Sequence, residues 1–463
     1  MKRFVLSITA FVVLLVGCVN TSTTDDSATK KDSQQIGPQL TSNVKHPDWS
    51  KNATIYEVNL RQYTEEGTIK AFMKHMPRLR NMGIDILWLM PVHPIGEKNR
   101  KGTLGSYYSV KDYEAVNREF GYIDEFDKMV ELAHLLGMKV IIDWVANHTA
   151  WDHAWVTEHP EWYDKDSTGQ MYSPFGWSDV VQLDFDNQDL RRTMVESMKY
   201  WLIEADIDGF RCDVASMVPT DFWDMARVEL NKVKPVFMLA ESEKDELLVN
   251  AFDMDYGWNL HGLSNRIAKG DTTVNALNGY FEKLKTSLPK GAYKMNFTSN
   301  HDENSWNGTV HERYGKGFQT YAVLMATVPG MPMIYTGQES GLNKRLEFFE
   351  KDIVAWEDFS LQEFYRILLN TKKANKALWN GNFGGELNHI KTDKEEAVFA
   401  FTRQKDGDAV FVILNLSGTA QNISLSGSDF TGTYTNIFDD TEVSFIEGHK
   451  MQLEAWDYRV FKK

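Results

Sequence analysis

The hydrophobic positions of this chain fall into short apolar runs that alternate with stretches of helical spacing. Runs of strand length cover residues 53–60, 84–92 and 139–145, and apolar side chains recur at helical spacing through residues 69–81 and 123–136. Apolar runs separated by helices are typical of parallel strands that are buried on both faces and joined by crossover helices. Further strand candidates along the chain are residues 209–214, 236–240, 251–260, 295–299 and 333–335.

The number of these repeats indicates how the sheet closes. Roughly eight strand–helix units between residues 48 and 377 favour an α/β fold, the (β/α)8 TIM barrel, over an open sheet. Residues 149–187 hold turn residues and aromatics without a long period, and they predict a short inserted domain after the third strand. Residues 378–463 hold short strands separated by Gly, Asn or Asp, and they predict a C-terminal antiparallel β-sandwich.

The N-terminus has the pattern of a targeting segment. Lys2 and Arg3 precede an apolar run over residues 4–16, which is too short to be a convincing membrane span. The run ends in Leu-Val-Gly-Cys at Cys18, which resembles the bacterial lipobox. This resemblance implies a lipoprotein signal peptide over residues 1–17 and lipid attachment at Cys18. An ordinary signal peptide with a chance cysteine is the alternative.

The next stretch, residues 18–47, is polar and predicts a disordered tether, because it cannot bury enough apolar surface to fold. The protein is then an exported lipoprotein that contacts a membrane through its N-terminal lipid anchor. Val19 stands where other bacterial lipoproteins carry an Asp that retains them in the inner membrane. We therefore expect the protein to be anchored in the outer membrane. The periplasmic face and the cell-surface face are the two alternatives for its location.

The charge of the chain narrows the class of partner. The formal net charge is −15, which argues against nucleic acid or another polyanion and suits a neutral substrate. The chain also contains 14 Trp, 18 Tyr and 26 Phe residues. Several of these lie in polar stretches that contain Gly, where flat rings tend to line binding clefts.

Acidic side chains follow four of the predicted strands. They are Asp143, Asp213, Glu241 and Asp302. Because the C-terminal ends of barrel strands meet at one mouth, we expect these carboxylates to lie close together. A purely structural role explains four such acids poorly, since a buried charge costs several kcal/mol unless it is paired.

The residues next to two of these acids suggest different protonation states. Arg211 lies two residues before Asp213 on one strand face, and its cation favours the ionised carboxylate that a nucleophile needs. A structural Arg–Asp pair is the alternative. Glu241 follows an apolar strand, and desolvation would raise its pKa as a general acid requires. Such a pair of carboxylates suggests glycosidic bond cleavage.

Four segments of the chain, in order, resemble the motifs of glycoside hydrolase family 13, the α-amylase family. They read DWVANH over residues 143–148, GFRCDV over 209–214, LAES over 239–242 and FTSNHD over 297–302. The resemblance covers nearly all of the mature chain. It implies that Asp213 is the nucleophile, Glu241 the acid/base and Asp302 the transition-state stabiliser. It also implies retention of the α-anomeric configuration.

The same resemblance implies residues that bind the sugar next to the scissile bond. Arg211, His148 and His301 match family positions in this subsite, and Tyr108 matches the tyrosine that stacks on the sugar. The chemistry requires no cofactor.

A calcium site is a further expectation. Asn147 and Asp184 match two ligand positions of the family's structural calcium, although calcium takes six to eight oxygens. A satisfied loop amide is the alternative for Asn147. Ser216 and Met217 replace the Lys-His pair that follows the nucleophile in many endo-acting members, and that change removes one calcium ligand position.

These observations predict a retaining glycoside hydrolase that cleaves α-1,4-glucosidic bonds in starch-like α-glucans or maltooligosaccharides through a covalent glycosyl-enzyme intermediate. Within the family, an exo-acting α-glucosidase or a transglycosidase is the alternative. From another class, the alternative is a catalytically inactive glycan-binding lipoprotein. The intact trio of carboxylates argues against that last reading, because binding alone does not need all three.

Overall fold

A computed structural model describes residues 39–356 and 358–463. The predicted signal peptide, the lipid attachment at Cys18 and the tether up to residue 38 lie outside the described residues. Within the described ranges, no helix combines the length and apolar character that crossing a membrane requires.

The strands follow the order that the apolar runs predict. They are β1 (Ile55–Val58), β2 (Ile86–Leu89), β3 (Lys139–Trp144), β4 (His148–Ala150), β5 (Val180–Gln182), β6 (Gly209–Cys212), β7 (Phe237–Ala240), β8 (Met254–Tyr256), β9 (Tyr293–Phe297), β10 (Met331–Tyr335), β11 (Asn388–His389), β12 (Lys391–Thr392), β13 (Val398–Lys405), β14 (Asp408–Asn415), β15 (Gln421–Ser426), β16 (Gly432–Asn436), β17 (Glu442–Phe445), β18 (Lys450–Leu453) and β19 (Tyr458–Lys462).

The α-helices lie between these strands and precede the C-terminal sheets. They are α1 (Leu60–Tyr63), α2 (Ile69–Met73), α3 (Met76–Met82), α4 (Ile123–Leu135), α5 (Trp155–Glu158), α6 (Gln188–Glu204), α7 (Thr220–Asn231), α8 (Leu247–Asn250), α9 (Trp258–Lys269), α10 (Ala276–Ser287), α11 (Val310–Tyr314), α12 (Phe318–Thr327) and α13 (Gln362–Ala374).

Eight parallel strands close into a barrel in the order β1-β10-β9-β8-β7-β6-β3-β2. Their side chains alternate, so that Ile86 and Trp88 fill the interior while Leu87 and Leu89 pack outward in the larger core that includes the helices. Both faces are apolar, which explains the continuous runs in the sequence. The prediction of a (β/α)8 TIM barrel is confirmed.

Two further parts lie outside the barrel sheet. After β3, strands β4 and β5 pair antiparallel and enclose α5 and an aromatic loop segment. After α13, two antiparallel sheets have the orders β11-β13-β14-β19-β16-β17 and β12-β15-β18. Phe411 and Phe445 lie 5.1 Å apart in the core of this region. The predicted antiparallel C-terminal fold is confirmed.

Two elements differ from the sequence-based expectation. The strand predicted over residues 251–260 is only the short β8, and Gly257 then leads directly into α9. A three-residue strand joined directly to the first turn of an amphipathic helix has no distinct period. The helix predicted over residues 69–81 is divided into α2 and α3, because Pro77 lacks an N–H and suits the first turn of a new helix.

The predicted tether ends earlier than residue 47. The backbone N–H of Ser42 donates to Lys290 O at 3.0 Å, and that of Asn43 donates to Val249 O at 2.7 Å. The His46 ring stacks on Tyr293 with 4.5 Å between the ring centroids. Residues 39–47 are thus held on the barrel by hydrogen bonds and one ring, and such polar contacts leave no hydrophobic pattern in the sequence.

Asp253 joins this segment to the barrel, and we expect Asp253→Ala to be strongly destabilising. Its carboxylate accepts hydrogen bonds from His46 Nδ1 at 2.7 Å, Arg227 Nη1 at 2.7 Å and Met238 N at 2.8 Å. Loss of the acid leaves a buried arginine unpaired, which costs about 3–5 kcal/mol. Urea unfolding measures this change. The exposed Asp271→Ala is the matched control, expected within about 0.5 kcal/mol of the parent.

The same carboxylate predicts a direction for the pH dependence of stability. Burial opposes ionisation, but Arg227 and His46 outweigh it and lower the pKa of Asp253. A lowered folded-state pKa gives stability that is present above the unfolded pKa of about 3.9 and is lost as pH falls through the folded value. Asp253→Ala should therefore lose less stability than the parent on acidification from pH 5 to lower pH. Equal losses would contradict this role.

Candidate active site

The C-terminal ends of the barrel strands surround a cavity of about 380 Å³. Six of the residues predicted from the sequence line it: Tyr108, His148, Asp213, Glu241, His301 and Asp302. The seventh, Arg211, lies beneath them and is fully buried. The structure therefore brings all seven predicted substrate and catalytic residues to one place.

Arg211 connects the acids at the floor of the cavity. Its Nη1 donates to Asp213 Oδ1 at 2.9 Å and to Asp143 Oδ1 at 2.8 Å, and its Nη2 lies 2.9 Å from Glu241 Oε2. The barrel register explains the contact with Asp143, because this residue pairs with Arg211 across β3 and β6. The hydroxyl of Tyr256 accepts the Nε–H at 3.0 Å. One guanidinium thus orients three carboxylates.

The protonation of Asp213 differs from the sequence-based expectation. Burial raises its pKa to about 6, and Arg211 only partly offsets this effect, while Asp143 adds to it. Burial likewise raises the pKa of Asp143 to about 6. Because the two acids share one cation, they titrate as a pair. Asp213 is ionised at pH 7, but its pKa lies closer to pH 7 than an arginine neighbour without burial would place it.

Glu241 has the protonation expected of an acid. Burial raises its pKa to about 7, with Asp213 and Asp302 adding to the shift and Arg211 opposing it. Its Oε2 accepts the backbone N–H of Val214 at 2.8 Å. Val214 has φ +37°, which is unusual for a β-branched residue and is typical of strained functional sites. This strained turn aims a fixed donor at Glu241.

His301 also lines the cavity and connects Tyr108 with two acids. Its Nε2 lies 2.8 Å from the Tyr108 hydroxyl and 3.3 Å from Asp302 Oδ2, and its Nδ1 contacts Glu57 Oε1. Burial alone would lower the pKa of His301, but Asp302 and Glu57 raise it well above its usual value. Burial opposes ionisation of Asp302, but the resulting imidazolium outweighs burial and lowers the pKa of this carboxyl. Asp302 is therefore a permanent carboxylate at neutral pH.

Sequence reasoning missed one residue of the site, Glu57, and it placed a second, Asp143, at the barrel mouth without assigning it a role. Asp143 holds Arg211 and also accepts the Tyr108 hydroxyl at 3.0 Å. Glu57 lies in the apolar run of β1, fully buried, and its Oε2 has no hydrogen-bond partner among the described residues. An acid inside an apolar strand was the available signal for Glu57, since a buried charge needs a partner.

We expect Glu57→Gln to lower kcat/KM by about 10- to 100-fold, because a hydrogen bond to a charged group contributes about 1.5–3 kcal/mol. Without this carboxylate the pKa of His301 falls, so the loss should grow from pH 6 to pH 8. The matched control is Glu339→Gln, which removes another fully buried acid that pairs with Arg78 at 2.9 Å. It should change stability but leave the shape of the pH profile unchanged. The same pH profile in both variants would contradict a positioning role for Glu57.

His148 borders the cavity beside the inserted segment. Burial lowers its pKa to about 4, so the ring is neutral at pH 7. The ring of Trp177, which also lines the cavity, lies 5.5 Å from it. Trp144, by contrast, is fully buried and cannot serve as a sugar platform. His93 and His153 are buried as well, and neither lines the cavity.

The calcium expectation receives no support from the geometry. Asn147 and Gln182 pair through their side-chain amides at 3.1 and 3.2 Å, and Asp184 Oδ1 accepts the N–H of Asp186. The described residues contain no group of three or more His, Cys, Asp or Glu side chains that could hold a metal ion. Asn147 is explained as a satisfied loop amide, and calcium stays a prediction.

Comparison with known families identifies the chain. The model of the family described as "Alpha amylase, catalytic domain" matches residues 23–161 and 156–379. The chain belongs to the α-amylase family. A second model, "Alpha-amylase SusG C-terminal domain", matches residues 398–458 in the C-terminal sheets. The protein is thus an α-amylase-like glycoside hydrolase, which agrees with the resemblance drawn from its four strand-end motifs.

Relatives within the α-amylase family differ in their activities. The solved structure of the maltogenic alpha-amylase AmyB from Thermotoga neapolitana is 30% identical, with a TM-score of 0.82 over 89% of this chain and 99% of that one. Alpha-amylase MalA of Haloarcula japonica is 26% identical over 83% of this chain and 58% of its own length. An alpha-1,4-glucan:maltose-1-phosphate maltosyltransferase of Cereibacter sphaeroides is 26% identical over 70% of this chain and 53% of its own length. The chain spans a little over half the length of these last two.

Proposed function

We propose that the protein hydrolyses α-1,4-glucosidic bonds in starch-like α-glucans and maltooligosaccharides, with retention of configuration. The observation that supports this most is the pair Asp213 and Glu241 on one guanidinium. Their pKa values of about 6 and about 7 leave the first ionised and the second largely protonated between those values. Retaining glycosidases need two carboxyl groups that are close together and differ in protonation in this way.

In the first step, a carboxylate oxygen of Asp213 forms a bond to the anomeric carbon. The bond from that carbon to the glycosidic oxygen breaks as Glu241 donates its proton to this oxygen, so the leaving sugar departs with a free hydroxyl. In the second step, the Glu241 carboxylate takes a proton from water, and the water oxygen displaces Asp213. The two displacements restore the α-configuration and both carboxyl groups.

The remaining residues hold the sugar that reacts. Tyr108 offers a ring face, neutral His148 offers a hydrogen-bond donor, and Asp302, held by cationic His301, offers a permanent anion for two sugar hydroxyls. An anion beside the reacting ring also stabilises the oxocarbenium-like charge of the transition state.

Reducing-sugar release from soluble starch by the purified protein tests this proposal. Laminarin, a β-1,3-glucan, is the substrate control, because it consists of the same sugar but has neither the α-configuration nor the 1,4-linkage of starch. We expect release from starch and none from laminarin. A binding signal for starch without products would instead support the glycan-binding alternative.

Transfer to a sugar acceptor is the second candidate activity, since a covalent intermediate reacts with whichever hydroxyl reaches it first. The maltosyltransferase relative supports considering it. Chromatography of products at high maltotriose concentration distinguishes the two, because products longer than the substrate arise only by transfer.

We also propose that the protein is exported and anchored in the outer membrane through a lipid on Cys18. The lipobox-like sequence that ends at Cys18 supports this. Metabolic labelling with a fatty acid should mark the parent protein and leave Cys18→Ser unlabelled. An unlabelled parent would contradict the anchor without affecting the proposed chemistry.

A further inference from the structure

Four segments that are distant in sequence meet along one side of the cavity. We call Lys101, Asp179, Trp306, Phe348 and Phe349 the glycone wall, and all five line the cavity. Lys101 belongs to the loop after β2, and Asp179 lies directly before β5. Lys101 Nζ lies 2.9 Å from Asp179 Oδ1. This ion pair joins the inserted segment to the β2 loop at the edge of the cavity.

The β2 loop is joined to the aromatic part of the wall as well. Leu104 N donates to Phe349 O at 3.0 Å, and Thr103 N donates to Glu350 Oε1 at 2.9 Å. Buried Arg61 donates to Gly105 O at 3.0 Å. Residues 101–105 of the loop are thus fixed on both sides, so the wall is continuous from Asp179 to Phe349.

The aromatic part begins directly after Asp302. Residues 303–307 form one turn of π-helix, a rare element that is frequent at functional sites. This turn presents Trp306 with 51% of its surface exposed. The ring of Phe348 lies 5.3 Å from that of Trp306, and the ring of Phe349 lies 5.8 Å from it. An exposed tryptophan backed by two rings is a suitable platform for the apolar face of a sugar.

The position of the wall relative to the reacting groups indicates which end of the substrate it meets. Phe348 lies 6.3 Å from the ring of Tyr108 and 6.3 Å from that of His301, and Asp179 O accepts the hydroxyl of Ser109 at 3.0 Å. The wall therefore adjoins the residues that hold the sugar bound to the nucleophile. Glu241, which protonates the leaving group, interacts instead with the strained turn at Val214.

We infer that the glycone wall closes the cavity beyond the non-reducing end of the substrate, so that the enzyme acts from free non-reducing chain ends. The inference rests on the proposed function. The Trp306 ring stacks on the terminal sugar, and the Lys101–Asp179 pair offers one donor and one acceptor to its hydroxyls. The preferred substrates are α-1,4-linked glucose chains with an unmodified non-reducing terminus, and each cleavage releases a short product from that end.

The test compares two forms of p-nitrophenyl α-maltoheptaoside, one free and one with a 4,6-O-benzylidene group on the non-reducing glucose. Products are resolved by chromatography. A closed wall rejects the added group, and we expect the free form to react at least about 10-fold faster, since even one excess methylene in a pocket changes rates about 10- to 200-fold. Equal rates would overturn the inference while leaving hydrolysis intact. No cleavage of either form, or of starch, would instead contradict the proposed function.

Variants of the wall add a second readout. Lys101→Ala breaks the ion pair, so the wall can open. We expect the ratio of the cleavage rate of the benzylidene form to that of the free form to rise by about 5-fold or more. Lys101→Arg keeps the charge and should keep the parent ratio. Phe383→Ala removes an exposed aromatic ring that does not line the cavity, and it should leave the ratio unchanged. An unchanged ratio in Lys101→Ala, with a melting curve like that of the parent, would contradict closure by this pair.

Discussion

Asp213→Asn should abolish turnover, with kcat lower by about 10⁴-fold or more, as for the loss of a nucleophile in other enzymes. The amide cannot form the covalent bond that divides the reaction into two steps. Arg211 keeps Asp143 and lies beside Glu241, so the floor of the cavity should remain intact. Initial rates on maltoheptaose measure the loss, and an unchanged thermal melting curve shows that the fold persists.

Chemical rescue separates a missing nucleophile from a damaged site. In Asp213→Ala, azide can occupy the space of the lost carboxylate and attack the anomeric carbon from the same face, when the leaving group is fluoride. The expected product is a β-glycosyl azide, formed with a single inversion. Asp302→Ala is the matched control and should give no such product. Near-normal activity of Asp213→Asn would end the proposed mechanism.

Glu241→Gln should lower the rate on maltoheptaose by about 10²- to 10⁴-fold, the usual contribution of general acid–base catalysis. An α-glucosyl fluoride needs no proton on its leaving group, so its first step should be nearly unaffected. The ratio of the two losses therefore identifies the acid. Glu243→Gln, two residues further along the chain, is the matched control, since this side chain does not line the cavity.

The pH profile gives an independent test of the same assignment. Activity should fall below about pH 6 as the Asp213–Asp143 pair takes up a proton, and above about pH 7 as Glu241 loses its proton. The optimum therefore lies between these values, and they belong to the coupled group of acids rather than to single residues. In Glu241→Gln the alkaline limb should disappear. An alkaline limb that persists in this variant would assign the acid to another residue.

The sequence allowed the barrel and the acids at its mouth to be predicted, because both depend on local patterns. Apolar runs alternate with helical spacing, and an acid follows directly where several strands end. Because parallel barrel strands all end at one mouth, the meeting of Asp213, Glu241 and Asp302 could be predicted without knowing any long-range contact.

The partners of these acids could not be predicted in the same way. His301 contacts Glu57 across 244 positions of sequence, a pairing that depends on how β1, β10 and β9 adjoin when the barrel closes. The contact of Arg211 with Asp143 similarly depends on the register of β3 and β6. The pKa of Asp213 reflects burial of this carboxyl as well as the neighbouring Arg211. The spacing of residues along the sequence does not show how deeply a side chain at the barrel mouth is buried.

Retention of the α-configuration is the central chemical claim, and proton NMR of the first products tests it most directly. The protein is mixed with maltoheptaose, and the anomeric signals are followed before mutarotation reaches equilibrium. Two displacements at Asp213 predict that the new reducing ends appear first as the α-anomer and then relax toward the equilibrium mixture. Initial formation of the β-anomer would contradict the account, because it would require a single displacement by water and no covalent bond to Asp213.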